Sequence, residues 1–332
     1  MTHTHRPIDI HAHFYPEELI ALWKAEGPRC GGEVGEVPGK GRILKAGGQQ
    51  TAPLVPRFTD LGVRIEAMDE QGVAVHALSL SLPMVYWADR ALAQKLSEAY
   101  NDAAAAAHQR HPDRLVSFAM LPMNYPDAAL AEFERARKLP GMRGVYMATA
   151  IAGRELSDPM FFPVYEAIEA AGLPVFLHPN TVIGAERLKA HYLENLLGNP
   201  FETAIAAAHL IFGGVLDRFP TLTVTLPHAG GAFPYLVGRL NRGWEKRPEL
   251  AHHKTSPLEY LRRFYYDTIS YHGPALEYLK RLVGADRVMI GSDYCFPIAY
   301  EHPVEIVTEH PGFTAEEKAL VVEGNARRLL GL

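Results

Sequence analysis

The 332-residue chain is short of cysteine, of positive charge and of long apolar runs. Cys30 and Cys295 are its only cysteines. Two thiols cannot build a disulfide framework or a cysteine-rich structural zinc site. The formal net charge is -5, which lacks the basic footprint that a nucleic-acid partner needs. No stretch approaches the roughly 18 apolar residues of a membrane helix, and residues 1–7 hold no apolar signal core. Neither nucleic acid nor membrane is therefore expected as a partner, and the expected compartment is the cytoplasm. A glycine-rich phosphate turn is also missing after the first apolar strand. Its absence removes the main mark of a doubly wound dinucleotide-binding sheet. The remainder is ordinary globular composition, 48% apolar and 21% charged, long enough to bury a substantial core.

The chain is organised around Ile8-Asp9-Ile10-His11-Ala12-His13. This is an apolar, β-branched run ending in two histidines spaced i, i+2. Side chains alternate along a strand, so His11 and His13 share a face. Three later runs end in the same way. Leu173–Leu177 leads into His178, Leu222–Pro227 into His228, and Arg287–Ser292 into Asp293, each followed by turn residues.

Between these runs, strand and helix signals alternate. Residues 14–57 are rich in glycine and proline and read as an insertion that covers the end of the first strand, with room for a small hairpin. Asp60 is expected to cap a helix whose Leu61, Ile65 and Met68 share a face. Strands are expected at 73–80, 115–120, 143–147, 173–178, 222–227, 264–268 and 287–290, with helices between them and at the C-terminus. Eight strands, each followed by helix, predict a (β/α)8 TIM barrel spanning residues 1–332 as one domain, with a lid-like insertion at about 14–57. The alternative is the doubly wound sheet already disfavoured.

In such a barrel, strand C-termini converge on the active site. His11, His13, His178 and Asp293 are therefore expected together, with Asp293 beside the histidine pair because strands one and eight close the barrel. Three imidazoles and a carboxylate suit one divalent transition ion, Zn²⁺ first and Mn²⁺ as the alternative, with a position left open for chemistry. No organic cofactor is called for. His228 is the spare imidazole and is assigned general acid/base work; Asp293 is read both as ligand and as catalytic group. His76 and His209 read as packing residues, His252 and His253 as a solvated pair, and Cys295 as a buried, inert thiol. His191 and His272 lie in loops that could face the site.

The quoted strand ends resemble those of the amidohydrolase superfamily, together with Phe14-Tyr15-Pro16, His178-Pro179, His228-Ala229-Gly230-Gly231 and Gly291-Ser292-Asp293-Tyr294. More narrowly they resemble its metal-dependent decarboxylase branch, typified by aminocarboxymuconate semialdehyde decarboxylase. Residues 64–69, 213–220 and 237–240 extend the likeness to most of the chain. The resemblance implies one metal at the positions of His11, His13, His178 and Asp293, and a catalytic histidine at His228. It also implies a homodimer in which Arg239 binds substrate carboxylate in the neighbouring subunit. The bridging lysine of two-metal relatives, expected at the end of strand four, is absent from Gly144-Val145-Tyr146-Met147-Ala148. Two departures stand out. Ala52 occupies the position of a second substrate arginine, with Arg57 out of register, and Asn180 replaces a tryptophan. They imply a small carboxylic acid substrate other than that semialdehyde, an aromatic acid being as good a candidate.

The resulting expectation is a carboxy-lyase that releases CO2 from an aromatic or unsaturated, muconate-type acid. A hydrolase or hydratase on the same site is the alternative. A catalytically dead barrel used for binding is a third possibility, which intact ligand positions disfavour.

Overall fold

A computed structural model describes residues 5–332. Eight strands pair in chain order as one parallel sheet: β1 (Ile8–His13), β2 (Val75–Ser79), β3 (Leu115–Met120), β4 (Met142–Ala148), β5 (Val175–His178), β6 (Val224–Leu226), β7 (Phe264–Asp267) and β8 (Val288–Met289). That sequential order has no switch point and excludes the doubly wound alternative. The two ends of the sheet meet. Ile10 donates its N–H to the Ile290 carbonyl at 3.0 Å, Asp293 donates to the His11 carbonyl at 2.9 Å, and Ala12 bridges to Tyr294. The result is the expected barrel. Its strands are near-continuous apolar runs because parallel strands are covered on both faces; every residue of β1, β2 and β3 is buried.

Register brings the ligand-bearing ends level. His13 lies opposite Ser79, His178 opposite Ala148 and Asp267 opposite Met289. Helices are set by local caps. Asp60 accepts from the Gly62 and Val63 amides at 2.7 and 3.2 Å to start the helix Leu61–Glu70, and Asp89 accepts from the Leu92 amide at 2.9 Å to start Arg90–Arg110. No helix among the described residues is long and apolar enough to cross a membrane.

The insertion after β1 is more ordered than its composition suggests. It holds a helix, Glu17–Glu26, and a three-stranded antiparallel sheet of Glu33–Val37, Gly41–Ala46 and Gln49–Gln50. Leu19, Ile20, Trp23, Leu44 and Ala46 join the same apolar core as the barrel, and the Trp23 and Trp87 rings lie 4.5 Å apart. Gln49, at the start of the last short strand, donates its side-chain amide to the Asn180 carbonyl. The insertion therefore touches the chain just past the end of β5. The other long connection, 179–199, holds only a short helix, Ala185–Leu188, and a π-type turn, Glu194–Gly198. It leaves Ile183, Tyr192, Leu196 and Leu197 exposed.

Candidate metal centre

The four expected donors meet. One ligand atom each from His11, His13, His178 and Asp293 lies within 4.8 Å of all the others, and all four residues are buried. Each imidazole is held through Nδ1 by a different element. His11 Nδ1 lies 2.8 Å from Asp267 Oδ2, and His178 Nδ1 lies 2.8 Å from the Pro179 carbonyl. His13 Nδ1 lies 3.0 Å from Ser79 Oγ, whose own hydroxyl donates to the Ala12 carbonyl at 3.2 Å. These partners accept, so the proton belongs on Nδ1 of each ring and three Nε2 lone pairs face inward.

That inward face is only partly satisfied. His11 Nε2 is buried without a hydrogen-bond partner and sits 3.6 Å from Asp293 Oδ1; His13 Nε2 sits 3.1 Å from the same oxygen. Lone pairs facing a carboxylate at such distances need a cation between them. The charge balance gives the same answer. Asp267 and Asp293 are both buried, and their only ion-pair partners among the described residues are histidines. Burial and the neighbouring imidazoles hold His13 and His178 well below the usual histidine range, so both are neutral and fit to be ligands. Burial pushes the Asp293 carboxyl up. Burial also works against charge on His11, but the carboxylates of Asp267, Asp293 and Asp9 together outweigh it and the net shift is upward. The residues fit one divalent metal ion, and the four form a divalent-metal site.

Tyr146 lies beneath the cluster on β4. Its ring stacks on His178 at 5.8 Å and meets His13 at 6.1 Å. An aromatic ring therefore fills the barrel interior on the strand that would carry a bridging lysine.

His228 lies just outside the donor set, with ring centroids 5.3 Å from His11 and 5.5 Å from His178. Its Nδ1 is buried and unpartnered, and burial together with His11 lowers its pKa. It sits on a turn where His228 and Ala229 both have left-handed backbone, φ 54° and 55°, an outlier for residues with a Cβ. His228 opens onto a cavity of about 410 Å³ whose walls include Leu196, Tyr235, Ile269, Tyr271, Tyr278 and Ile298.

Arg239 lies on the helix Phe233–Lys246, exposed and without an ion-pair partner among the described residues. His191 and His272 are exposed. Cys295 is buried and its thiol is pushed up to about 12 by burial, so it stays protonated. His76 is buried, 3.4 Å from Asp9. Ala52 packs against the core.

Sequence reasoning missed Asp267, although it closes β7 as His178 closes β5. It also missed Arg64, fully buried on the helix after the insertion.

A family model described as an amidohydrolase matches residues 8–332. The 2-amino-3-carboxymuconate-6-semialdehyde decarboxylase of Dictyostelium discoideum is 33% identical over 277 residues, 82% of this chain and 77% of that one. Among solved structures, the 5-carboxyvanillate decarboxylase of Sphingomonas paucimobilis is 27% identical, with a TM-score of 0.83 over 99% of this chain and 100% of that one. A dihydroxybenzoic acid decarboxylase from Polaromonas sp. JS666, solved with bound manganese, shares the fold at 24% identity and a TM-score of 0.81, over 99% and 98% of the two chains. The match along nearly the whole chain and the 33% relative carry one conclusion: the chain belongs to the amidohydrolase family, in its nonoxidative decarboxylase branch.

Proposed function

We propose that the chain removes CO2, without oxidation and without an organic cofactor, from an aromatic or muconate-type carboxylic acid. The observation that carries this reading is the position of His228, at the wall of an aromatic-lined cavity and beside four converging metal donors. A divalent ion, when bound, supplies a Lewis acid for the oxygens of the acid and for the charge left as CO2 departs. The chain's own residues do the rest. Tyr271, Tyr278 and Ile269 line the cavity and offer apolar surface to a substrate ring. His228 is neutral near pH 7, so its free nitrogen accepts a proton from a substrate hydroxyl or a water and returns it to the carbon that loses CO2. The carbon–carbon bond breaks, its electron pair stays on that carbon, and the proton from His228 takes its place.

The donor set, three imidazoles and one carboxylate, favours zinc; manganese, which the Polaromonas structure holds, is the alternative that elemental analysis decides. The insertion at 14–57 acts as the lid and carries specificity, a role supported by the Gln49 contact to Asn180. With Ala52 and Asn180 in place of the arginine and tryptophan, the unaltered protein should turn over aminocarboxymuconate semialdehyde poorly. We assign it to the cytoplasm as a homodimer. Tyr235 and Leu196, both at the cavity, are 81% and 49% exposed, and Arg239 shares the helix of Tyr235, placed to meet substrate carboxylate in the partner's cavity.

The deciding experiment offers hydroxybenzoates and muconate-type acids to the metal-loaded protein and reads CO2. Release from an aromatic acid supports the proposal. Water addition or ester or amide cleavage with no CO2 would replace it with the hydrolase or hydratase alternative. Sedimentation as a monomer with full activity would remove the role given to Arg239.

A further inference from the structure

Asp267 is fully buried, and both of its oxygens are filled with donors. Oδ2 accepts from the ring of His11 at 2.8 Å and from the amide of His228 at 3.0 Å. Oδ1 accepts from the amides of Ala229 at 2.7 Å and Ile269 at 3.0 Å. A carboxylate in this position has nothing to donate. The His11 proton therefore has to sit on Nδ1, and the Nε2 lone pair has to face the donor cluster. The same oxygen ties down the amide of His228, at the first of two consecutive left-handed residues.

We propose that Asp267 is a positioning residue that sets, through one carboxylate, both the tautomer of metal-ligating His11 and the backbone of His228. The inference rests on the metal reading of the site but not on the identity of the substrate. It explains why two residues with a Cβ hold a left-handed turn at the mouth of the barrel: their two successive amides, with that of Ile269, find their acceptors on one side chain. It also ties ligand orientation to acid/base geometry. Whatever disturbs one disturbs the other.

In Asp267→Asn the new amide group has two possible orientations. Facing Ala229 and Ile269, it would set donor against donor twice. Facing His11 and His228, it meets only one amide donor and can give its proton to His11 Nδ1. The second orientation is cheaper, and it moves the His11 proton to Nε2, onto the position the metal needs. Asp267→Ala imposes no tautomer, yet strips all three amides of their acceptor. The near-isosteric variant should thus be the better folded of the two and the poorer metal binder. A residue that only supported the fold would rank the variants identically in both measurements.

The test is made on the full-length protein without substrate. Long-range ¹H–¹⁵N spectra of the metal-free wild type at alkaline pH, with His11 assigned from its loss in His11→Gln, should show the proton on Nδ1; in Asp267→Asn they should show it on Nε2. Chelator competition should give a metal affinity about 10–100-fold weaker for Asp267→Asn and a smaller loss for Asp267→Ala, while thermal melts rank Asn above Ala. A wild-type His11 protonated on Nε2 overturns the proposal, as does an Asp267→Asn protein that binds metal like the wild type. If Asp267→Ala does not fold, the spectra and affinity of Asp267→Asn decide alone. These readouts contain no substrate, so the decarboxylase reading and this one fail separately.

Discussion

Strand β1 serves two buried histidine–carboxylate clusters, and their charges are balanced in different ways. Around its last residues, His11, His13 and His178 face Asp293, with Asp267 behind them. Two carboxylates are buried there, with only histidines as ion-pair partners among the described residues. One step lower, Asp9 accepts from the His11 amide at 2.9 Å and from the Ser292 amide and hydroxyl at 3.2 and 2.5 Å. His76 stands 3.4 Å away, and Arg64 reaches His76 at 3.3 Å and the His13 carbonyl. The Arg64 guanidinium lies over the rings of Tyr294 and Phe14, at 4.8 and 5.6 Å. The lower cluster carries its own cation. The upper one does not, and its lone pairs converge. Buried histidine beside buried carboxylate is thus no sign of a metal by itself; uncompensated charge with converging nitrogens is.

The sharpest way to break this comparison is to remove a donor. His11→Ala should leave well under one metal per chain and no measurable turnover, whereas His228→Ala should keep the metal and lose about 10²–10⁴-fold in turnover. Elemental analysis beside a CO2 assay reads both, and equal metal loss in the two variants would put His228 in the donor set. In the lower cluster the effect should be on folding. Arg64→Met breaks a buried charge network, which costs about 3–5 kcal/mol, while the folded fraction keeps its full metal content; denaturant titration of the metal-loaded protein measures the loss. A smaller effect comes from Asp9, whose carboxyl burial raises from 3.8 to about 6. Folded protein then holds a proton that unfolded chain has released. The contribution of this group is fully present below about pH 4 and is lost as pH rises through about 6, on the order of 3 kcal/mol. Asp9→Asn should flatten that part of the stability curve, and an unchanged slope would assign the titration to another group.

The upper cluster was legible in the sequence because its signals are local: a strand is an apolar run, its end is a turn, and the residue between them is the ligand. The lower cluster was not. Arg64 sits on the same helical face as Leu61, Ile65 and Met68, where the apolar period predicts burial, but an arginine there reads as a solvated residue unless its partners on β1 and β2 are known. Asp267 was hidden for a related reason. Asp267 gains its role only when His11 and the chain at 228–229 pack against it. Within the insertion the hairpin was expected and the helix was not. Gly39, Gly47 and Gly48 form the turns between its strands, and Leu19, Ile20 and Trp23 after Glu17-Glu18 already had the spacing of a helix that buries one face. The order of the barrel strands was legible because alternation leaves few topologies.

The meeting of the first and last strands sets when the protein can acquire its ion. A chain leaves the ribosome N-terminus first, so His11, His13 and His178 are delivered while Asp293 is still to be made. Until β8 arrives, β1 has no neighbour on one side, and the histidines lack both the carboxylate and the Asp293 amide that grips the His11 carbonyl. Full-strength metal capture is therefore a late event in biogenesis. It marks chains whose final strand has been synthesised and docked, and a product truncated before that strand would be left without the ion and with an open sheet edge.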